Sequence, residues 1–232
     1  MALSAEQQDR IWEHYQNEAE ETFVYSQPRS RCLLRRIPPA ACVLNIGVGA
    51  GGLEKAALEK GIEIHSLDPN QRAIEKLRRE CGLGERAQVG YSQEAPFDDQ
   101  QFDYVVASEV LEHLTDEVLE RTLQEVRRML KPGGWFLGTT PAREDLRKDQ
   151  IFCPHCAKKF HRWGHEQSFT IERMTQILQP HFEVETITEK VFVTWSVLNW
   201  RGKIVETLRL LRQRLGFRGE MDSLFFAVRK PS

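Results

Sequence analysis

Glu109, Glu112 and His113 stand at i, i+3 and i+4. If a helical turn begins there, Glu109 shares one face with both of the others. Such a face can hold a divalent cation through oxygen and imidazole ligands and leave positions open for a substrate. Without a metal, Glu112 and His113 cap or pair locally, or His113 works as a general base. The residues alone leave these readings open. A second constellation is Cys153-x2-Cys156-x4-His161-x3-His165. Paired cysteines followed by two histidines suit a closed tetrahedral zinc site in a segment too polar to fold alone. The plain alternative is a loop with two free thiols, and His155 competes as a ligand. A redox role is disfavoured, because the pair lacks the strand-to-helix context that lowers a thiol pKa.

The elements that must carry these residues are organised around Val43-Leu44-Asn45-Ile46-Gly47-Val48-Gly49-Ala50-Gly51-Gly52. The apolar run 41–46 predicts a buried parallel strand, and 53–60 predicts a helix. Glycines between them let backbone approach a ligand closely. The helix start aims free N–H groups at the same place. Gly47, Gly49 and Gly52 satisfy a dinucleotide fingerprint, whereas Gly47, Gly49 and Gly51 satisfy G-x-G-x-G, so the turn does not choose its nucleotide. Residues 62–67 alternate as a second strand, and Asp68 follows 21 positions after Gly47. A carboxylate there can accept both ribose hydroxyls. Asp68 or Asn70 can also cap the helix expected over 71–80.

Further strands are predicted at 87–89, 102–107 and 135–138, with an amphipathic helix from Thr115 to Leu130. A helix over 169–178 precedes two last strands, 182–188 and 223–228, expected as an antiparallel pair. The alternation implies a doubly wound, mostly parallel sheet with ligands at the strands' carboxyl ends. Residues 1–40 read as a helical lid, in which Trp12 and Tyr15 face substrate or simply anchor packing. Residues 41–232 form the main domain, interrupted by a Cys/His-rich insertion at 141–169. The 190–218 segment would sit on the substrate side. Its Leu208, Leu211 and Leu215 are expected to pack inward beneath a solvated basic face.

A chain of 232 residues with net charge −2 suits one domain with an insertion and has no general attraction to nucleic acid. No apolar run reaches the ~20 residues that span a bilayer, and the N-terminus carries no signal pattern. Five scattered cysteines argue against a disulfide framework, so a reducing cytoplasm is expected. Nothing in the sequence sets the oligomeric state.

The order of motifs resembles the class I S-adenosylmethionine (SAM) dependent methyltransferases, in the broad ubiquinone-biosynthesis-type group. The likeness runs through the 43–51 turn, Asp68, Ala95-Pro96-Phe97, Phe102-Asp103-Tyr104-Val105-Val106, Glu109-Val110-Leu111-Glu112-His113 and Leu130-Lys131-Pro132-Gly133-Gly134. It implies a Rossmann-like seven-stranded sheet, mostly parallel with an antiparallel terminal strand. It also implies SAM rather than NAD, since a dehydrogenase has no reason to carry the later motifs. By the resemblance, Gly47, Gly49 and Gly51 pass beneath the methionine part of SAM. Asp68 holds the ribose, Tyr91 and Ser92 flank the adenine, and Ser108 with Glu109 lies near the methionine. Asn45 stands where the family usually has an acid, and Tyr91 where it often has Asp.

The Glu-x-x-Glu-His motif is similar to that of metal-dependent 2′-O-methyltransferases of small-RNA 3′ ends, in which a later histidine joins; His165 is the matching candidate. The reading that follows is methyl transfer from SAM to an oxygen, less favourably a nitrogen, of a small-molecule acceptor, with base or divalent-metal help. Methylation of an RNA 3′ terminus is the alternative, lowered by the near-neutral charge. A catalytically silent, zinc-stabilised binding protein is the remaining one.

Overall fold

The computed structural model describes residues 4–155, 157–215, 219 and 222–232. Seven strands form one sheet: β1 (Cys42–Ile46), β2 (Glu63–Asp68), β3 (Ala87–Val89), β4 (Phe102–Ser108), β5 (Leu130–Pro141), β8 (Glu183–Lys190) and β9 (Ser223–Arg229). Their order is β3-β2-β1-β4-β5-β9-β8. The first five run parallel, and β9 lies antiparallel to both β5 and β8. The strand that comes last in sequence is thus tucked inside β8, which takes the edge. A separate two-stranded hairpin, β6 (Gln150–Phe152) with β7 (Lys159–His161), lies within the 141–169 segment.

Helices cover both faces, as a buried parallel sheet requires. Successive residues of β1 point to opposite sides. Leu44 and Ile46 join one core with α5 (Asp116–Met129) and α6 (Ile171–Leu178). Val43 joins the other with α2 (Gln27–Leu34), α3 (Gly52–Glu59) and α4 (Gln71–Cys81). Leu33 and Leu34 of α2 are buried there, so part of the 1–40 stretch belongs to the body of the domain. α1 (Ala5–Glu18), held at its start by a Ser4–Gln7 capping box, lies across the strand ends together with Phe23.

One strand boundary and the facing of one helix differ most from the sequence reading. β5 is longer than 135–138, because the Pro132-Gly133 kink shifts register between Phe102↔Leu130 and Tyr104↔Trp135 without ending the pairing. The leucines of α7 (Trp200–Arg214) do not pack inward: Leu208, Leu211 and Leu215 are exposed. Residues 216–218 of the expected 190–218 segment lie outside the described residues.

The centre of the sheet has one position without spare volume. A Cβ on Gly138 would lie 2.3 Å from the Phe226 ring and 2.4 Å from the Ala107 carbonyl oxygen. Gly138→Ala is expected to cost about 1–3 kcal/mol, the usual range for overpacking, read as a lower midpoint in urea at unchanged slope.

Candidate active site

β1 ends in a turn whose three alternate glycines all have positive φ: Gly47 at +82°, Gly49 at +52° and Gly51 at +78°. Added Cβ atoms would strike Val110 (2.6 Å), Phe23 (2.8 Å) and Leu77 (2.7 Å) respectively. Gly52 opens α3 with no neighbour within 4 Å of its would-be Cβ. The G-x-G-x-G reading therefore describes the constrained positions, and the dinucleotide fingerprint does not.

Asp68 sits buried at the end of β2. Its Oδ2 accepts from the Val48 amide of the glycine turn (2.9 Å) and from Gln16 Nε2 of α1 (2.9 Å). Its Oδ1 accepts from the Asn70 amide (2.9 Å), while the Asn70 side chain caps α4. Burial pushes the Asp68 carboxyl up, against the pull of these three donors. Gln16 thus meets the carboxylate expected to hold a ribose.

Asn45 meets a buried acid from another element. Alternation along β1 turns Asn45 toward α3, where its amide donates to Glu54 Oε1 (2.7 Å), and Ser66 Oγ donates to the same oxygen (3.0 Å). Glu54 is fully buried and its other oxygen has no hydrogen-bond partner. Desolvation raises its pKa to about 7. No local spacing signals this contact.

A cavity of about 540 Å³ opens above the turn, a size suited to a nucleotide-sized ligand. Its walls include Asp68, Tyr91 and Ser92 at one end and Ser108, Glu109 and His113 at the other, with Trp12, Gln16 and Phe23 as a roof. Tyr91 donates its hydroxyl to Asp9 (2.7 Å), and the Ser92 and Ser108 hydroxyls bond Thr122 (2.8 Å) and Thr139 (2.9 Å). α1 spans the opening: Gln8 donates to the Gly164 carbonyl (2.7 Å), and the Trp12 ring meets His113 edge-on at 4.6 Å.

The Glu-x-x-Glu-His segment does not form the expected helical face. Glu109 adopts φ +58°, and a single 3₁₀ turn begins at Leu111. This sends Glu109 toward Arg29, 3.7 Å away, and leaves Glu112 and His113 to meet the insertion. The Glu112 carbonyl accepts from the Glu166 and Gln167 amides (2.7 and 2.9 Å), which fixes His165 beside it. Ligand-capable atoms of Glu112, His113 and His165 lie within 4.8 Å of one another, as do those of Glu144, His161 and His165. His165 Nδ1 is 2.5 Å from Glu144, and its ring stacks on His161 at 4.6 Å. Burial, then the Glu109 charge, holds the Glu112 carboxyl well above the usual range; burial and the neighbouring imidazoles hold His113 well below its own.

The four-ligand Cys/His arrangement is not what the described residues assemble. His161 and His165 gather with carboxylates and His113, and Cys153 is in neither group. In the hairpin His161 pairs with Gln150 at the base, whereas Cys153 lies past the Phe152↔Lys159 pair toward the tip. Cys156 lies outside the described residues. Glu144, from the charged start of the insertion, has no motif to mark it.

Strand order, glycine turn and a carboxylate beside it define a doubly wound nucleotide-cofactor enzyme. A methyltransferase-domain family model matches residues 12–186, and the chain belongs to that family; it is a SAM-dependent methyltransferase. It is 24% identical over 82% of its length to an uncharacterized methyltransferase of Geobacillus sp. (strain WCH70), covering 91% of that protein. It is 31% identical to a sarcosine/dimethylglycine N-methyltransferase of Halorhodospira halochloris, over 54% of this chain and 47% of that enzyme, so it spans about half of that relative. Solved structures that share the fold include two methyltransferases. One is a complex of the Haloferax volcanii Trm112 methyltransferase activator with a methyltransferase (TM-score 0.69, 18% identity, 95% of this chain and 98% of the other). The other is the Burkholderia thailandensis 1,6-didemethyltoxoflavin-N1-methyltransferase with its substrate and S-adenosylhomocysteine (TM-score 0.65, 16% identity, 100% and 93%).

Two outcomes follow. Calorimetry should show S-adenosylhomocysteine binding and no NAD binding, weakened roughly 100-fold by Asp68→Ala through loss of charge-assisted bonds. Glu54 has a raised folded pKa, so its stabilising contribution is complete below about pH 4.5 and declines as pH rises toward about 7. Thermal melts of Glu54→Gln should lack that part of the pH dependence, on the order of 2–3 kcal/mol across the window.

Proposed function

We propose that the enzyme transfers the SAM methyl group to an oxygen of a small-molecule acceptor, with the Glu112–His113–His165 group removing the acceptor's proton. The observation that carries this reading is a set of buried atoms without hydrogen-bond partners: Glu112 Oε1, His113 Nε2 and His161 Nε2. Leaving such atoms unpaired costs about 1–3 kcal/mol each, so their clustering behind the cavity wall speaks for a proton or a cation as the missing partner. A sulfonium methyl is already activated and needs mainly in-line alignment and a dry site. A hydroxyl nucleophile must in addition lose its proton.

In this reading Gly47, Gly49 and Gly51 run beneath the methionine portion. Asp68 accepts the ribose hydroxyls once Gln16 yields, with Tyr91 and Ser92 beside the adenine and Asn45, Ser108 and Glu109 by the methionine. α1 acts as the lid, since Gln16 touches Asp68 and Trp12 touches His113 across one opening. His113, kept neutral by burial, takes the acceptor proton on Nε2. The same donor set also fits a divalent cation, for which Glu112, His113 and His165 would be ligands and Glu144 and His161 the support; its chemistry would be to acidify the hydroxyl. A nitrogen acceptor is the second reading, favoured by relatives named as sarcosine/dimethylglycine N-methyltransferases.

The test is S-adenosylhomocysteine release over a panel of hydroxylated and amine acceptors. His113→Gln should lower turnover of a hydroxyl acceptor at least 100-fold with donor binding unchanged. Elemental analysis and chelation separate the two devices: about one tightly held divalent ion per chain with activity lost to chelator assigns the cation, and a metal-free active enzyme assigns the base. Amine turnover unaffected by His113→Gln would overturn oxygen transfer.

A further inference from the structure

α7 is folded inside out. Its inward stripe is polar. Arg209 bonds Asp222 (3.1 Å) and faces Glu206 (3.5 Å), and Gln213 donates to the Glu189 carbonyl (3.2 Å) and accepts from the Val191 amide (3.3 Å). Its outward stripe is apolar. Trp200 (67% exposed), Ile204 (52%), Leu208 (55%), Leu211 (49%) and Leu215 (76%) all stand free of the core. At 100° per residue these five fall within about 80° of the helix circumference, one continuous ridge. The fold itself has no use for this ridge, since the helix is tied down through its other side. Asn199 caps it on the Gly202 amide (2.9 Å), so it is formed before any partner arrives.

Charge identifies the partner. Arg201 and Arg212 are exposed along one flank of the ridge and Lys203 along the other. Among the described side chains of the helix the only carboxylate, Glu206, turns inward. A second copy of the chain laid ridge to ridge would set these cations against their own kind with no acid to meet them. An apolar ridge with a tryptophan at one end and cations on both sides instead matches the boundary between anionic headgroups and acyl chains. Trp195 and Val197, also exposed just before the helix, extend the apolar strip.

We infer that α7 docks the enzyme on an anionic lipid surface, lying in the plane of the interface with Trp200, Ile204, Leu208, Leu211 and Leu215 buried in it. No helix among the described residues is long and apolar enough to cross a membrane, so this is attachment and not insertion. The inference is independent of the methyl acceptor and of the Glu112–His113–His165 group.

Co-sedimentation of the full chain with vesicles tests it. The protein should pellet with phosphatidylglycerol–phosphatidylcholine vesicles and not with phosphatidylcholine alone, and added salt should weaken the binding. Arg201→Gln with Lys203→Gln should lower affinity about fivefold per charge, the effect of roughly 1 kcal/mol per basic residue at an anionic surface. Trp200→Glu with Leu208→Glu should abolish it. All these positions are exposed, and unchanged S-adenosylhomocysteine binding by each variant confirms that its fold is intact. Failure to pellet, or equal binding to both vesicle types, overturns the proposal. So does a dimer in sedimentation velocity that Trp200→Glu with Leu208→Glu turns into monomer, because the ridge would then be covered by a second copy.

Discussion

One buried carboxylate ties the carboxyl end of the sheet together at the glycine turn. Asp68 accepts from Val48 in the glycine turn, from Asn70 at the start of α4 and from Gln16 in α1. A carboxylate out of water is costly unless donors surround it. The turn, the helix start and the overlying helix are therefore held in register by the same two oxygens. Since Gln16 contributes from α1, the cover over the cavity is fastened to the same carboxylate.

A similar economy governs the opposite end. Glu112 is buried, and its carbonyl is the point at which the insertion is fastened to the turn after β4. That fastening brings His165, and through it Glu144 and His161, to the segment that already carries His113. Burial and the charge of His165 lower the proton affinity of His113 and of His161, and the cluster is flanked by the carboxylates of Glu112 and Glu144. The result is a cluster with unpaired buried atoms, a pattern that folded proteins tolerate where the missing partner is functional.

α7 presents the reverse of the usual burial rule. Its polar side is the one that finds partners, in Asp222, the Glu189 carbonyl and the Val191 amide. Loop and edge-strand groups that need donors and acceptors have drawn in the charged stripe and turned the leucines out. The composition of a helix says that it has two faces; the neighbours decide which one is inward.

The strand–turn–helix at β1, the paired positions of Asp68 and Asn70 and the alternation of strands with helices were legible from residue order alone. Each rests on local rules: the period of apolar residues, the backbone freedom of glycine, the capping of a helix start. Local rules in the sequence therefore determined the sheet and the strand ends at which a nucleotide would sit, while the choice of SAM over NAD came from the order of motifs that resembles the methyltransferases. Only the tertiary structure decided that Asn45 meets the buried Glu54, that Glu109 leaves its motif for Arg29, that His161 joins Glu144 rather than Cys153, and that the α7 ridge faces out. The reason is that periodicity and turn chemistry act over a few residues. Which side chains meet across long stretches of chain depends on strand register, on hairpin pairing and on the polar groups each surface leaves to be satisfied, and these exist only once the chain is packed.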